Sequence, residues 1–357
     1  MSNKNIFSEY KDTILDEMEN KVGSKLRFPL QATRGVINSY IRGDFILVGG
    51  RKTSGKSSFM LSNYVTAPLR QKLKSIKDGT DLKIRVIYIN SRKNNKATIE
   101  RMVVNYISSN NKGNKVGVPS LYRYSGTHKK YSAALAKKML TGTMSTFDRL
   151  IRGQVLNVIS SRKTVMEIDS IVQGIMEEYG VFHNFDEFDF EYDEEYKNVT
   201  PILVIDDITS LIGESGGPVL KHDNAHKFAI KLKLMAKALN MVVVLGVPSA
   251  PRYSKGAFHK SSLEEVEPYH LYADRVLIMH NPMETDDKKV LGYETNKFIG
   301  RSTGICYLRM LFVASNYMGP SGVYIPYFLY PENGFIIELP KYDDEESLDV
   351  FYDLVAE

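Results

Sequence analysis

The chain has 357 residues, of which 43% are hydrophobic and 25% are charged, a composition typical of one large or two modest folded domains. This composition excludes a disordered chain, and no apolar run approaches the roughly 18 residues of a membrane-spanning helix. The single cysteine, Cys306, excludes an intrachain disulfide, and the first ten residues lack the apolar core of a signal peptide. We therefore expect a cytoplasmic protein with no membrane partner.

The net charge of +5 is unevenly distributed along the chain. Residues 338–357 contain eight acidic residues and one lysine, and residues 185–196 contain seven further acidic residues. The rest of the chain is distinctly basic, which is compatible with binding to a polyanion such as nucleic acid. A solvated surface of mixed charge explains the same distribution equally well.

The first 24 residues predict an amphipathic helix. Its apolar side chains recur every four residues, at Ile6, Tyr10, Ile14, Met18 and Val22. Such a stripe has to be buried, either on the helix's own domain or on a neighbouring subunit. Both alternatives fit the sequence equally well.

Short apolar runs rich in β-branched residues predict buried strands further along the chain, at residues 43–48, 83–89, 200–207, 241–247 and 275–279. Stretches of helical periodicity, such as residues 226–239, lie between them. This alternation predicts an α/β fold with a mostly parallel sheet flanked by helices. Residues 305–313 and two later apolar runs are typical of antiparallel strands at a sheet edge. Residues 106–199 are the least regular part.

The sequence G-R-K-T-S-G-K-S stands between the first predicted strand and a predicted helix. In such a loop the glycines let backbone N–H groups turn towards phosphate oxygens, while Lys56 reaches the β- and γ-phosphates and the Ser57 hydroxyl binds Mg²⁺. The helix that follows directs its positive end at the same anions. We therefore expect ATP to contact Gly50, Arg51, Lys52, Thr53, Ser54, Gly55, Lys56, Ser57 and Ser58.

A pair of acids follows the predicted strand at residues 200–207, where the second half of a nucleotide-bound metal site belongs. Asp206 is the candidate to hold Mg²⁺ through a water molecule, and Asp207 lies directly beside it. The competing interpretation is a turn or helix cap, in which the carboxylates only bind backbone N–H groups.

Several segments, in this order, resemble the motor domain of the DnaB-type replicative helicases, within the RecA-like P-loop ATPases. The matching segments are residues 28–59, 86–102, 202–211, 232–247, 272–280 and 297–312. The resemblance covers roughly residues 25–318 and implies a RecA-like core that binds ATP and Mg²⁺, forms a homo-oligomeric ring or filament, and acts on single-stranded DNA. The compact form suits a divergent phage-encoded member, working in the host cytoplasm.

Three positions depart from the family pattern. A one-to-one overlay puts Arg92 at the catalytic glutamate, Pro248 at the sensor glutamine and Ile299 at the arginine finger that acts on the neighbouring subunit. An arginine cannot activate water as a base, and loss of an arginine finger costs about 10³–10⁵ in rate. Either Asp207 and Arg301 take these catalytic roles beside Lys56, or ATP is bound and hydrolysed poorly.

Lys297 matches the family's lysine that reaches the neighbouring nucleotide. Together with Arg301 it is predicted to act on the adjacent subunit's ATP.

Two loops are candidates for contact with single-stranded DNA. The loop at residues 213–222 ends in Lys221, and the loop at residues 248–262 interleaves cations with aromatic rings. Charges on the phosphates and rings on the bases suit a single strand, whereas an ordinary exposed loop is the alternative. The candidate side chains are Lys221, Arg252, Tyr253, Lys255 and Lys260.

The predicted organisation has three parts. Residues 1–24 form a linker-like helix, residues 25–337 a RecA-like ATPase domain, and residues 338–357 an acidic tail. The tail either docks on a basic replication partner or forms a capped terminal helix. The functions left open are an ATP-driven DNA helicase or translocase, a hydrolysis-impaired structural or regulatory subunit, and a RecA-type recombinase.

Overall fold

The computed structural model describes residues 26–29, 36–37, 40–90, 95–110, 133–213, 222–248, 268–301, 303–317, 319–330 and 334–356. The predicted N-terminal helix at residues 1–24 lies outside these residues. Among the helices described, none is long and apolar enough to span a membrane.

A nine-stranded sheet organises the fold, in the order β13-β12-β11-β8-β1-β7-β6-β2-β3. Its strands are β1 (Phe45–Gly50), β2 (Ile84–Ile89), β3 (Leu156–Ile159), β6 (Thr200–Ile205), β7 (Val242–Pro248), β8 (Arg275–His280), β11 (Leu308–Asn316), β12 (Val323–Tyr330) and β13 (Phe335–Glu338). Strands β8 to β3 in this order are parallel to one another, and β11, β12 and β13 extend the sheet antiparallel. The predicted α/β class and the C-terminal antiparallel strands are confirmed.

Helices cover both faces of this sheet. They are α1 (Lys56–Met60), α2 (Ala67–Lys77), α3 (Asn95–Asn110), α4 (Ala133–Arg152), α5 (Val165–Met176), α6 (His222–Ala238), α7 (Tyr269–Tyr272) and α8 (Glu345–Ala356). A π-helix, Leu61–Thr66, joins α1 to α2 without a break. Two short antiparallel pairs lie outside the main sheet, namely β4 (Gly180–Asn184) with β5 (Asp189–Tyr192) and β9 (Lys289–Val290) with β10 (Tyr293–Glu294).

Strand β1 shows why the central strands are almost entirely apolar. Ile46 and Val48 face one core cluster with α1 to α4, whereas Phe45 and Leu47 face a second cluster with α5 and α6. Both faces of the sheet are covered, so neither face tolerates the alternating polar residues of a half-exposed strand. This double burial places the end of β1 at the centre of the molecule.

Part of the region 106–199, where the sequence shows no clear pattern, adds an edge strand and a hairpin. Strand β3 pairs in parallel with β2, and the acidic stretch at residues 185–196 includes β5 of the β4–β5 hairpin. The hairpin is fastened to the body by Tyr192, whose hydroxyl donates to the backbone oxygen of Leu239 over 2.6 Å.

The acidic C-terminal segment ends in helix α8, one of the two alternatives that the sequence left open. Its apolar side chains Leu348, Phe351 and Val355 pack in a third core cluster with Phe298 and Phe328. This packing buries the apolar face of α8 on the body, so its acidic face is the part exposed to solvent. The domain boundary at residue 338 remains a prediction.

Candidate functional site

The phosphate loop begins where β1 ends and closes at the first residue of α1. A Cβ atom on Gly50 would lie 2.4 Å from Ser54 Oγ and 2.9 Å from the backbone oxygen of Met279. Gly55 has φ +91°, and a Cβ there would lie 2.7 Å from Leu329 Cδ2. Both positions therefore require glycine, and the motif's two glycines have a structural reason in this chain.

A hydroxyl and a carboxylate meet beside the loop in the arrangement expected of a magnesium site. Ser57 Oγ donates to Asp206 Oδ1 over 2.7 Å, and Asp206 is almost fully buried at the end of β6. The other carboxylate oxygen, Oδ2, accepts from Tyr88 over 2.9 Å and from Asn90 over 3.3 Å. Hard oxygen donors suit Mg²⁺, which keeps most of its water ligands, so Ser57 and Asp206 fit the ion.

Tyr88 and Asn90 orient the carboxylate of Asp206. Burial, and then the charge of Asp206, raises the pKa of Tyr88 well above its usual value, so the phenol stays protonated and donates. Asn90 bridges both groups, because its side-chain nitrogen also lies 3.0 Å from the Tyr88 hydroxyl. Outer-shell contacts of this kind fix a metal-binding carboxylate in one orientation. The sequence analysis missed this role for both residues.

The loop lysine pairs with the second acid. Lys56 Nζ lies 3.1 Å from Asp207 Oδ2, and the two side chains are 5% and 4% exposed. The other carboxylate oxygen of Asp207 accepts from the backbone N–H of Thr209 over 2.9 Å and from its hydroxyl over 2.8 Å. Asp207 has φ +93°, a conformation that costs a non-glycine residue on the order of 1–3 kcal/mol. Such strain is typical of functional positions.

Two side chains from distant strands hold the loop itself. Glu284, just after β8, accepts a hydrogen bond from the Thr53 hydroxyl and takes a second from Arg51 on its backbone oxygen over 3.2 Å. Arg309 on β11 donates to the backbone oxygen of Thr53 over 3.2 Å. Within the loop, Ser54 Oγ donates to the backbone oxygen of Arg51 over 2.9 Å. The loop conformation is therefore set from both sides.

The remaining loop residues differ in exposure. Lys52 is exposed, whereas Ser58 is buried and accepts from Arg101 on α3 over 2.7 Å. Arg101 thereby ties the first turn after the loop to the helix that follows β2. Neither Arg101, Glu284 nor Arg309 was predicted from the sequence. For Arg309 there was a signal, since it is a charged residue inside the apolar run I-C-Y-L-R-M-L-F-V.

The end of β8 beside the loop carries a buried histidine, His280. Its Nε2 lies 3.3 Å from the Thr285 hydroxyl and 3.5 Å from Asp287 Oδ2. Burial lowers the pKa of His280 to about 4; Asp287 opposes this shift, and Arg51 and Arg309 add to it. At neutral pH the ring is therefore uncharged.

Comparison with known proteins identifies the architecture. No family model matches the chain, and no curated protein matches it in sequence. One solved structure, the ATPase domain of a DnaB-like helicase, has 17% identity and a TM-score of 0.63, with 95% of this chain and 100% of that domain covered. A DnaB-like replicative helicase, described with its interactions with primase, has 16% identity and a TM-score of 0.63, covering 94% and 68%. The chain has a DnaB-like ATPase fold.

This similarity confirms the predicted RecA-like α/β fold and places the phosphate loop, Asp206 and Asp207 at neighbouring strand ends of a DnaB-like ATPase sheet. Within that sheet, Pro248 ends β7 directly beside Gly50. A proline ring has no hydrogen-bonding side chain, so this position cannot supply a polar sensor group.

Lys297 and Arg301 lie away from this chain's own phosphate loop. Lys297 Nζ is 3.8 Å from Glu294 Oε2 and lies over the ring of Tyr352, 5.2 Å from its centroid. Arg301 is exposed, and Ile299 between them forms a bridge with Cys306. Both cations therefore belong to the C-terminal surface in the DnaB-like fold.

The other predicted residues lie outside the part that the structure describes. These are Arg92 and the candidate DNA-contacting side chains Lys221, Arg252, Tyr253, Lys255 and Lys260. Their roles stay predictions from the sequence.

Proposed function

We propose that this chain is an ATP-driven helicase or translocase that acts on single-stranded DNA in replication, as a homo-oligomer in the cytoplasm. The observation that carries the proposal is the pairing of both loop side chains with both acids at the end of β6. Ser57 lies 2.7 Å from Asp206, and Lys56 lies 3.1 Å from Asp207. A DnaB-like fold supports the same activity.

Each of these four side chains has a distinct role in the proposed reaction. Lys56 binds the β- and γ-phosphates, and Ser57 and Asp206 hold Mg²⁺, which neutralises charge that develops on the phosphate oxygens. Asp207 accepts the proton of the attacking water. Its place beside the phosphate lysine supports this role, since Lys56 and a base must both approach the γ-phosphate.

The oligomer and the DNA contacts rest on the resemblance and on residue chemistry. Lys297 and Arg301 are on the protein surface and are proposed to reach the nucleotide of the adjacent subunit. Single-stranded DNA is proposed to contact Lys221, Arg252, Tyr253, Lys255 and Lys260. The exposed acidic face of α8 is the candidate surface for a basic replication partner.

ATP turnover of the purified protein tests the proposal, measured with and without single-stranded DNA. We expect DNA-stimulated turnover in the native chain and none in Lys56→Ala. Turnover that Lys56→Ala retains would point to a contaminating ATPase. Unwinding of a forked duplex then separates a helicase from a recombinase, which promotes strand pairing.

A second candidate is a nucleotide-binding structural subunit that hydrolyses ATP poorly. Pro248 beside Gly50 favours it, because this strand end has no polar group to sense the γ-phosphate. Ile299 favours it for the same reason at the subunit surface. Binding of ATP with no turnover in either condition would support this candidate over the motor.

A further inference from the structure

The buried cations of this chain differ in how their charges are balanced. Five lysine and arginine side chains are buried in the part of the chain that the structure describes. Four of them form ion pairs, namely Lys56 with Asp207, Lys72 with Asp81, Arg85 with Glu178 and Arg275 with Asp44. The fifth, Arg309, is 4% exposed and forms no ion pair with a carboxylate among the described residues.

Arg309 is held only by neutral groups. Its Nη1 donates to the backbone oxygens of Cys306 and Leu308, both over 2.7 Å, and its Nη2 donates to the oxygen of Thr53. The Nε atom is buried without a hydrogen-bond partner in the described structure. Burial lowers the pKa of Arg309, yet a guanidinium remains protonated at neutral pH. A full positive charge is therefore buried here, which is costly unless an anion balances it.

The place of this charge indicates which anion that is. Arg309 lies against the phosphate loop, since it bonds Thr53 and a Cβ on Gly55 would be 3.6 Å from its Nε. The loop's own backbone and Lys56 are the groups expected to hold polyphosphate. An anion in the loop would share a poorly screened environment with the guanidinium, so the attraction between them would be strong.

Glu284 is the carboxylate next to the same loop, and it is directed elsewhere. Its side chain accepts from the Thr53 hydroxyl and has Oε2 3.9 Å from Arg51 Nε. It holds the exposed side of the loop, while Arg309 holds the buried side. The two charges have opposite signs, so they affect a bound anion in opposite directions.

We propose that Arg309 is a binding residue of the nucleotide site in its own subunit, a buried cation whose charge is balanced by the bound polyphosphate rather than by a protein carboxylate. This inference rests on the proposed nucleotide binding. It assigns the role to a residue of this chain's own β11, distinct from the surface cations Lys297 and Arg301.

The test compares the affinities of the full chain for ATP, ADP and AMP, measured by titration calorimetry with Mg²⁺ present. The variants are Arg309→Met, which removes the charge, Arg309→Lys, which keeps it, and Glu284→Gln, which removes the opposing charge. Arg85→Met is the matched control, a buried arginine at the start of β2 whose charge Glu178 balances.

The expected result is a change that grows with phosphate number. At an effective dielectric constant of about 20, a buried unit charge a few ångströms away changes the preference for ATP over AMP on the order of tenfold. Arg309→Met should reduce that preference by this factor, Arg309→Lys should retain most of it, and Glu284→Gln should increase it. Arg85→Met should leave it unchanged.

Two outcomes would overturn the inference while leaving nucleotide binding intact. One is an equal loss of affinity for ATP, ADP and AMP in Arg309→Met, which a purely structural role predicts. The other is an unchanged ATP preference in Glu284→Gln, which decides the matter even where Arg309→Met does not fold. A native chain that binds none of the three nucleotides would instead refute the proposed function, and this inference with it.

Discussion

Lys56 and Asp207 neutralise one another in a buried ion pair, with Nζ 3.1 Å from Oδ2. The phosphate lysine is therefore occupied by a protein carboxylate before any nucleotide arrives. A γ-phosphate that binds Lys56 has to share or replace this contact. The carboxylate of Asp207 is then left next to the phosphate, held by the backbone N–H and hydroxyl of Thr209.

Replacement of this acid separates binding from hydrolysis. In Asp207→Asn the amide keeps the shape of the side chain but cannot accept a proton, so we expect turnover to fall by about 10²–10⁴. ATP affinity should be retained or increased, because Lys56 no longer shares its charge with a carboxylate. Single-turnover hydrolysis and equilibrium binding measure the two effects, with Lys56→Ala as the control that loses binding. Native turnover in Asp207→Asn would assign the base to another residue.

Replacement of the neighbouring acid should affect the metal instead. In Asp206→Asn the carboxylate that Ser57, Tyr88 and Asn90 hold in place is neutralised, and loss of such an outer-shell contact weakens a metal by about 10–100-fold. We expect the gain in ATP affinity caused by Mg²⁺ to fall by that factor, while affinity in EDTA stays unchanged.

Ser57→Ala is the companion variant for this metal effect, and ATP binding is titrated against Mg²⁺ in both. An equal loss of affinity in EDTA would show that Asp206 acts on the fold of the loop and not on the ion.

Gly55→Ala should damage the loop through its backbone. The position combines φ +91° with only 2.7 Å between a new Cβ and Leu329 Cδ2, so we expect a loss of about 2 kcal/mol or more in unfolding free energy. Urea denaturation measures it, alongside ATP binding.

The matched control for this backbone effect is Gly174→Ala, on α5, where a Cβ meets no atom within 4 Å. A gain of about 0.5–1 kcal/mol is expected there, because alanine favours the helix. A native-like Gly55→Ala would show that the loop relaxes around the methyl group.

His280 should make the protein less stable in mild acid. Its pKa is about 4 in the folded protein and about 6.5 in an unfolded chain, so only the unfolded state gains the proton between these values. Stability is therefore complete above pH 6.5 and is lost as the pH falls towards 4. The expected loss between pH 7 and pH 5 is about 2 kcal/mol.

Urea unfolding at a series of pH values, with His280→Gln as the reference, isolates this contribution from the carboxylates. The variant should lose about 2 kcal/mol less than the native chain over the same interval. Parallel curves for the two proteins would contradict a buried neutral imidazole.

The phosphate loop and Asp206 could be predicted because their signals are local: a glycine motif between a strand and a helix, and an acid after an apolar run. The strands of the main sheet were predictable for the same reason, since double burial makes β1 and β6 continuously apolar. Glu284 and Arg309 could not be predicted, because they meet Thr53 across 231 and 256 residues of chain. Only the register of the folded sheet brings them together.

The sheet order has a consequence for the synthesis of the protein. Strand β1 leaves the ribosome early, but its two neighbours β7 and β8 and the arginine beneath its loop are among the last parts made. At about 5–20 residues per second, Thr53 waits on the order of 10–50 s for Arg309. During that interval an apolar strand has no partner and ATP has no finished site to bind. Nucleotide can therefore stabilise only the completed chain, and the nascent one depends on chaperones to keep β1 from aggregating.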